Sequence, residues 1–114
     1  MAGTQHDLVE ALVGLPRSDY VRFAADWIAT GSLDPTSPHL TGDRVLDALV
    51  AASAAYLARR NGTSPPGWTR DESRVLDSFW NPAGPRFFSW SLAHTPVDFF
   101  NHGIILEEDS LVCV

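Results

Sequence analysis

Residues 43 to 60, DRVLDALVAASAAYLARR, contain neither proline nor glycine, and they constrain the fold of this chain more than any other stretch. Val45, Leu46, Leu49, Val50, Ala52, Ser53, Tyr56 and Leu57 recur at helical spacing and form a broad apolar face. The spacing predicts the longest helix of the chain, roughly 42 to 60, opened by Thr41 or Asp43 as N-cap. Arg59 and Arg60 suit the negative end of its dipole, and Gly62 suits the position just past its end. The run Ala51–Ala55 is small-sided and lets another helix approach closely. A helix of this kind needs other apolar elements to cover it.

The rest of the chain supplies them in short pieces. Leu8, Val9, Leu12 and Val13 form a helical stripe that Pro16 ends. Ser18 is a plausible N-cap for a second helix carrying Tyr20, Phe23, Ala24, Trp27 and Ile28, and Gly31 is a reasonable stop. These make an N-terminal helix pair over residues 1–30. Residues 31–40, GSLDPTSPHL, form a turn-rich connector and the best candidate hinge. After Pro65–Pro66–Gly67, the pair Thr69 and Glu72 has capping-box spacing and predicts a short helix bearing Val75, Leu76, Phe79 and Trp80. Pro85 suits the first turn of a helix with Phe87, Phe88, Trp90, Ser91 and Leu92. Thr95, Pro96 and Asp98 suit N-cap, N1 and N3 of a further helix that Gly103 ends. Ile104–Leu106 reads either as a docked extended segment or as a lone edge strand, before a tail over 107–114. No internal repeat is present. The expectation is one all-α domain spanning 1–114, a compact bundle of five to six short helices with at most one short C-terminal strand.

Composition narrows the function classes. The net charge is −6; all eight cationic side chains are arginine and none is lysine. An acidic balance with scattered arginines argues against sequence-independent nucleic-acid binding, and the N-terminal helix pair, with only Arg17 and Arg22 as cations, is a poor DNA reader. Without lysine, a phosphate loop of the Gly-x-x-x-x-Gly-Lys type cannot be built. Neither a Gly-x-Gly-x-x-Gly nor a Gly-x-Ser-x-Gly motif occurs. Cys113 is the single cysteine, so no intramolecular disulfide forms. The N-terminus lacks a signal-peptide pattern and no stretch is apolar enough to span a bilayer, which makes the cytoplasm the default location.

His94, Asp98 and His102 are spaced by four and would share one face of a continuous helix, a set of ligands suited to zinc or iron. The helix start at Thr95–Pro96 interrupts that face, and the favoured reading is capping with surface histidines, without catalytic residues, metal or cofactor. The aromatics are more telling: eight of the twelve lie between residues 65 and 106. Most are expected in the core, with one or two of Trp80, Phe88 and Trp90 reaching an interface, since aromatic and arginine side chains dominate binding hot spots. Arg70, Arg74 and Arg86 bracket this region and are expected to join the contact.

The block over residues 45 to 106, with Tyr-Leu-Ala-Arg-Arg, Pro-Pro-Gly-Trp-Thr, Arg-Val-Leu-Asp-Ser-Phe-Trp, Ala-His-Thr-Pro-Val-Asp-Phe-Phe and His-Gly-Ile-Ile-Leu, resembles a C-terminal module of small actinobacterial proteins that are antitoxin-like or associated with helix-turn-helix regulators. The resemblance implies a non-enzymatic binding protein that masks a protein partner, such as a toxin with a basic cleft. Two other readings stand beside it: a small-molecule-binding or enzymatic helical domain whose polar groups are His94, Tyr56 and Asp98, and a homo-oligomer formed through Ala51–Ala55.

Overall fold

The long helix is the axle of the molecule. The computed structural model describes residues 3–84 and 88–111. Five α-helices occur among them: α1 (Gln5–Leu12), α2 (Tyr20–Thr30), α3 (Arg44–Arg60), α4 (Phe88–Ala93) and α5 (Val97–Phe100). Single 3-10 turns lie at Arg17–Asp19, Gly67–Arg70, Glu72–Arg74 and Glu108–Leu111. Thirteen of the seventeen residues of α3 are buried, so the helix is covered on nearly every side, as its apolar and small residues require. It touches α1, α2, α5 and the 3-10 turns at Gly67–Arg70 and Glu72–Arg74. The all-α bundle expected from the sequence is therefore observed.

Both ends of α3 are set by local chemistry. Asp43 accepts hydrogen bonds from the N–H groups of Val45 (3.0 Å) and Leu46 (3.2 Å), and also from the Tyr20 hydroxyl (3.1 Å) and Arg17 (3.3 Å). At the other end Gly62 takes a φ of +76°; the Thr63 N–H reaches the Ala58 carbonyl and the Gly62 N–H reaches that of Arg59. This is the Schellman pattern, which satisfies carbonyls that the helix itself leaves open.

The Ala51–Ala55 face meets this chain's own elements: Ala51, Ala52, Ser53 and Ala54 have no exposed surface, and Ala55 is 4% exposed. Self-association through that face is therefore corrected, because the small side chains are already covered. The 31–40 connector, the candidate hinge, is tied to the body of the molecule by hydrogen bonds. The fully buried Gln5 amide donates to the carbonyls of Asp34 (2.6 Å) and Thr36 (2.8 Å) and accepts from the Asp34 N–H (2.9 Å). Arg74 holds the carbonyl of Pro38 from the opposite side.

Other helix starts differ from the sequence reading. Ser18 lies inside the 3-10 turn that precedes α2 and caps nothing. The helix expected from Thr69 to Trp80 is instead two 3-10 turns followed by an irregular, bent segment that ends in the bridge at Trp80. The Asp71 carboxylate takes the Ser73 N–H (3.0 Å) and closes the second turn; the Thr69 hydroxyl turns back to the Pro66 carbonyl (2.6 Å). The Thr95 hydroxyl, expected to cap α5, bonds the Ser91 carbonyl and so closes the end of α4. Pro85 and Phe87, expected to begin that helix, lie outside the described residues, as does Cys113.

Ile104, Ile105 and Leu106 form a docked extended segment, buried to 2% exposure or less. Trp80 and Ile104 make an isolated parallel bridge, in which the Trp80 N–H donates to the Gly103 carbonyl and the Ile105 N–H to that of Trp80, each at 2.9 Å. No helix among the described residues is long and apolar enough to cross a membrane.

Candidate functional site

Two features of the surface stand out among the described residues: a set of exposed aromatic and aliphatic side chains between residues 79 and 100, and a polar groove. The first arises where the chain offers adjacent pairs of aromatic residues. Phe99 is wholly buried against α3, with its ring 5.7 Å from that of Tyr56, whereas its neighbour Phe100 is 44% exposed. Phe79 directly precedes Trp80, which makes the bridge to Ile104. Trp80 turns inward, edge-to-face with Tyr20 at 6.4 Å, and Phe79 is left 53% exposed. The rings of Phe79 and Phe100 meet at 5.7 Å. Val97, one turn before Phe100 on α5, is exposed too, as are Trp90 and Leu92 on α4. Trp90 is the most exposed of these large side chains and stacks on His94 at 4.1 Å; the His94 Nδ1 is 2.8 Å from the Trp90 carbonyl. Charges of both signs stand beside these residues: Arg17, Arg44 and Asp77 share a cleft with Phe79, and Arg59, Arg60 and Glu108 share one with Val97.

The structure thus sorts the six expected contact residues. Trp90 is on the surface, and Arg70 is exposed. Trp80 is half-buried with its ring engaged by Tyr20. Arg74 does not face a partner, because it is 2% exposed: its guanidinium donates to the carbonyls of Pro38 (2.6 Å) and Asp47 (3.3 Å) and lies 5.0 Å over the Trp68 ring. Arg86 and the Phe88 side chain lie outside the described residues. Phe79, Val97 and Phe100 were not singled out from the sequence. The pairs Phe79–Trp80 and Phe99–Phe100 each divide between inside and outside, and no local spacing tells which member is left exposed, since adjacent residues such as Trp27 and Ile28 are both buried.

The second surface is a groove of about 400 Å³ at the C-terminal end of α3. Arg59, Arg70, Asp98, Asn101 and His102 supply its polar wall; Ala55, Pro65 and Val75 supply an apolar one. Asp98, expected to serve at a helix N-terminus, is buried, and its carboxylate meets the Arg59 Nε at 2.9 Å. Burial pushes the Asp98 carboxyl above its usual range, against the pull of Arg59 and His102. The His102 ring, expected at the surface, is 5% exposed, with Nδ1 2.6 Å from the Asp98 carbonyl and Nε2 2.6 Å from the Thr69 carbonyl. Both neighbours are acceptors. A neutral imidazole has one N–H to offer them and an imidazolium two. Arg70 lines the same groove and has no hydrogen-bond or ion-pair partner among the described residues.

Asp98 also borders an adjoining cleft with Tyr56, Arg60 and Glu108, where burial and the Glu108 carboxylate push the Tyr56 phenol up. Tyr56 and Asp98 are thus neighbours, whereas His94 sits apart on Trp90. Among the described residues no three His, Cys, Asp or Glu side chains gather as a metal centre would require. Compared with models of known protein families, with curated proteins and with solved structures, the chain matches none.

Proposed function

We propose that this chain is a protein-interaction module, antitoxin-like or regulatory, that binds and masks a basic protein partner through the aromatic face of α4, α5 and Phe79. The observation that carries this reading is the cluster of large apolar side chains left uncovered in one C-terminal region, led by Trp90 and the Phe79–Phe100 pair. Exposed apolar groups of this size, rimmed by polar residues, mark association surfaces, and tryptophan at their centre is the commonest energetic anchor. The net charge of −6 favours a partner of opposite sign and speeds its approach. The resemblance of residues 45 to 106 to antitoxin-like modules supports the same class, and the cytoplasm is the compartment that goes with it.

The test is affinity capture from the native host, followed by mass spectrometry and a binding titration with the recovered protein. A stoichiometric basic partner is expected, with association slowed by added salt. The double variant Trp90→Ala, Phe100→Ala is expected to melt close to the parent and to lose at least tenfold in affinity. Unchanged affinity in a folded double variant refutes the assignment of this face.

A further inference from the structure

The groove at the end of α3 lies apart from Trp90 and Phe79, and its chemistry points to a different kind of ligand. We propose that it is a binding site for a small organic carboxylate with an apolar body.

The charge at the groove is positive in a chain that is negative overall. Arg59 and Arg70 both line it, and Asp98 is the one acidic side chain of its lining. Asp98 meets the Arg59 Nε, and no hydrogen bond or ion pair among the described residues engages the two terminal nitrogens of that guanidinium; the Arg59 side chain is 56% exposed. Arg70 brings a whole fork of donors with no protein acceptor. Asn101 adds an amide at the rim. His102 is not part of the ligand's donor set, because both its ring nitrogens face backbone carbonyls.

Three features choose a carboxylate over other anions. Planar guanidinium forks match a planar carboxylate through paired N–H···O bonds. Arg59 belongs to the last turn of α3, whose carbonyl end is the negative pole of the helix and disfavours a doubly charged group such as phosphate. The opposite wall of Ala55, Pro65 and Val75 offers apolar surface that an inorganic anion cannot use. A volume of about 400 Å³ falls within the range of small-molecule sites.

The experiment is a two-dimensional ¹H–¹⁵N NMR titration of the full chain with benzoate, alongside benzamide as its neutral isostere and inorganic phosphate as the competing anion. Benzoate is expected to move the amides of Arg59, Arg70, Asp98 and Asn101 saturably. Benzamide and phosphate are expected to bind at least tenfold more weakly. Arg70→Gln, which removes no hydrogen bond or ion pair among the described residues, is expected to keep the parent spectrum away from the groove and to weaken benzoate at least tenfold. Equal binding of benzamide, stronger binding of phosphate, an unaffected Arg70→Gln variant, or no saturable shift at these amides would each overturn the proposal. Arg59 is the poorer position to vary, since its loss strands the buried Asp98.

Discussion

Arg74 and Asp98 show how differently two buried charges are held. Arg74 has neutral carbonyls at two of its nitrogens and the Trp68 ring against its plane; burial draws its basicity below the usual value while Asp47 and Asp71 oppose that shift. Its arrangement needs a flat, forked cation, which lysine cannot imitate. Arg74→Lys is expected to lose about 2–4 kcal/mol in urea unfolding, through two unmet carbonyls and a lost stack. Arg70→Lys, at an exposed position, is expected to stay within about 0.5 kcal/mol of the parent.

Asp98 carries a pH signature. Its carboxyl is raised by burial more than Arg59 and His102 lower it, so the folded chain holds that proton more tightly than the unfolded chain does. Ionising Asp98 therefore lowers stability: the loss is absent below the unfolded value of about 4 and complete once the pH passes the higher folded value. Asp43 acts in the opposite sense. Burial raises its carboxyl, but bonds from the Leu46 N–H, the Tyr20 hydroxyl, Arg17 and the Val45 N–H outweigh that and lower it, so its stabilisation is lost on acidification. The two effects separate in a difference experiment. Urea midpoints from pH 3 to 7 for Asp98→Asn against the parent are expected to diverge in favour of the variant as the pH rises. A flat difference means that Asp98 titrates at its unfolded value.

At the scale of elements, two glycines with the same backbone sign make a controlled comparison. Gly62 has φ +76° with open space where a Cβ would sit, so Gly62→Ala is expected to cost about 1–2 kcal/mol, the penalty of a left-handed alanine. Gly103 has φ +83°, and a Cβ there would lie 2.8 Å from that of Leu76, in a chain path that must deliver Ile104–Leu106 to the core. Gly103→Ala is expected to cost clearly more than Gly62→Ala in thermal unfolding, because it adds a clash to the same strain.

This scale also explains what was legible. Helix α3 was readable because Asp43, the apolar face and Gly62 all act within a few residues of the backbone they satisfy. Residues 69 to 80 do not form the expected helix because three partners of that stretch are remote: the Leu76 N–H bonds His102, and Trp80 bonds Gly103 and Ile105. No local pattern encodes those pairings. The exposed rings are not legible, since adjacent apolar residues such as Trp27 and Ile28 are both buried while Phe99 and Phe100 divide. Nor is the groove, because Arg59, Arg70 and Asp98 come from three segments that only the packing around α3 brings together.

For the molecule as a whole, the sharing of α3 decides its cooperativity. The radius of gyration is 12.7 Å, close to the roughly 13 Å of a folded domain of this length. With α1, α2, α5 and both middle 3-10 turns resting on one helix, no subset of elements keeps a covered core when α3 is disturbed. Helical circular dichroism and tryptophan fluorescence are expected to report one coincident urea transition. Leu49→Ala is expected to move both probes together by about 2–5 kcal/mol. Separate midpoints would show that the segment after Pro65 unfolds on its own.

The parallel bridge between Trp80 and Ile104 has a consequence for the order of events during synthesis. Ile104–Leu106, and the turn at Glu108–Leu111 that packs on α2, complete a core whose other walls are made much earlier. On the ribosome, α1, α2 and α3 emerge ahead of Ile104–Leu106 and that turn. Until these residues arrive, the parts of α2 and α3 that they cover stay open, so the segment made last among the described residues is the one that shuts the core.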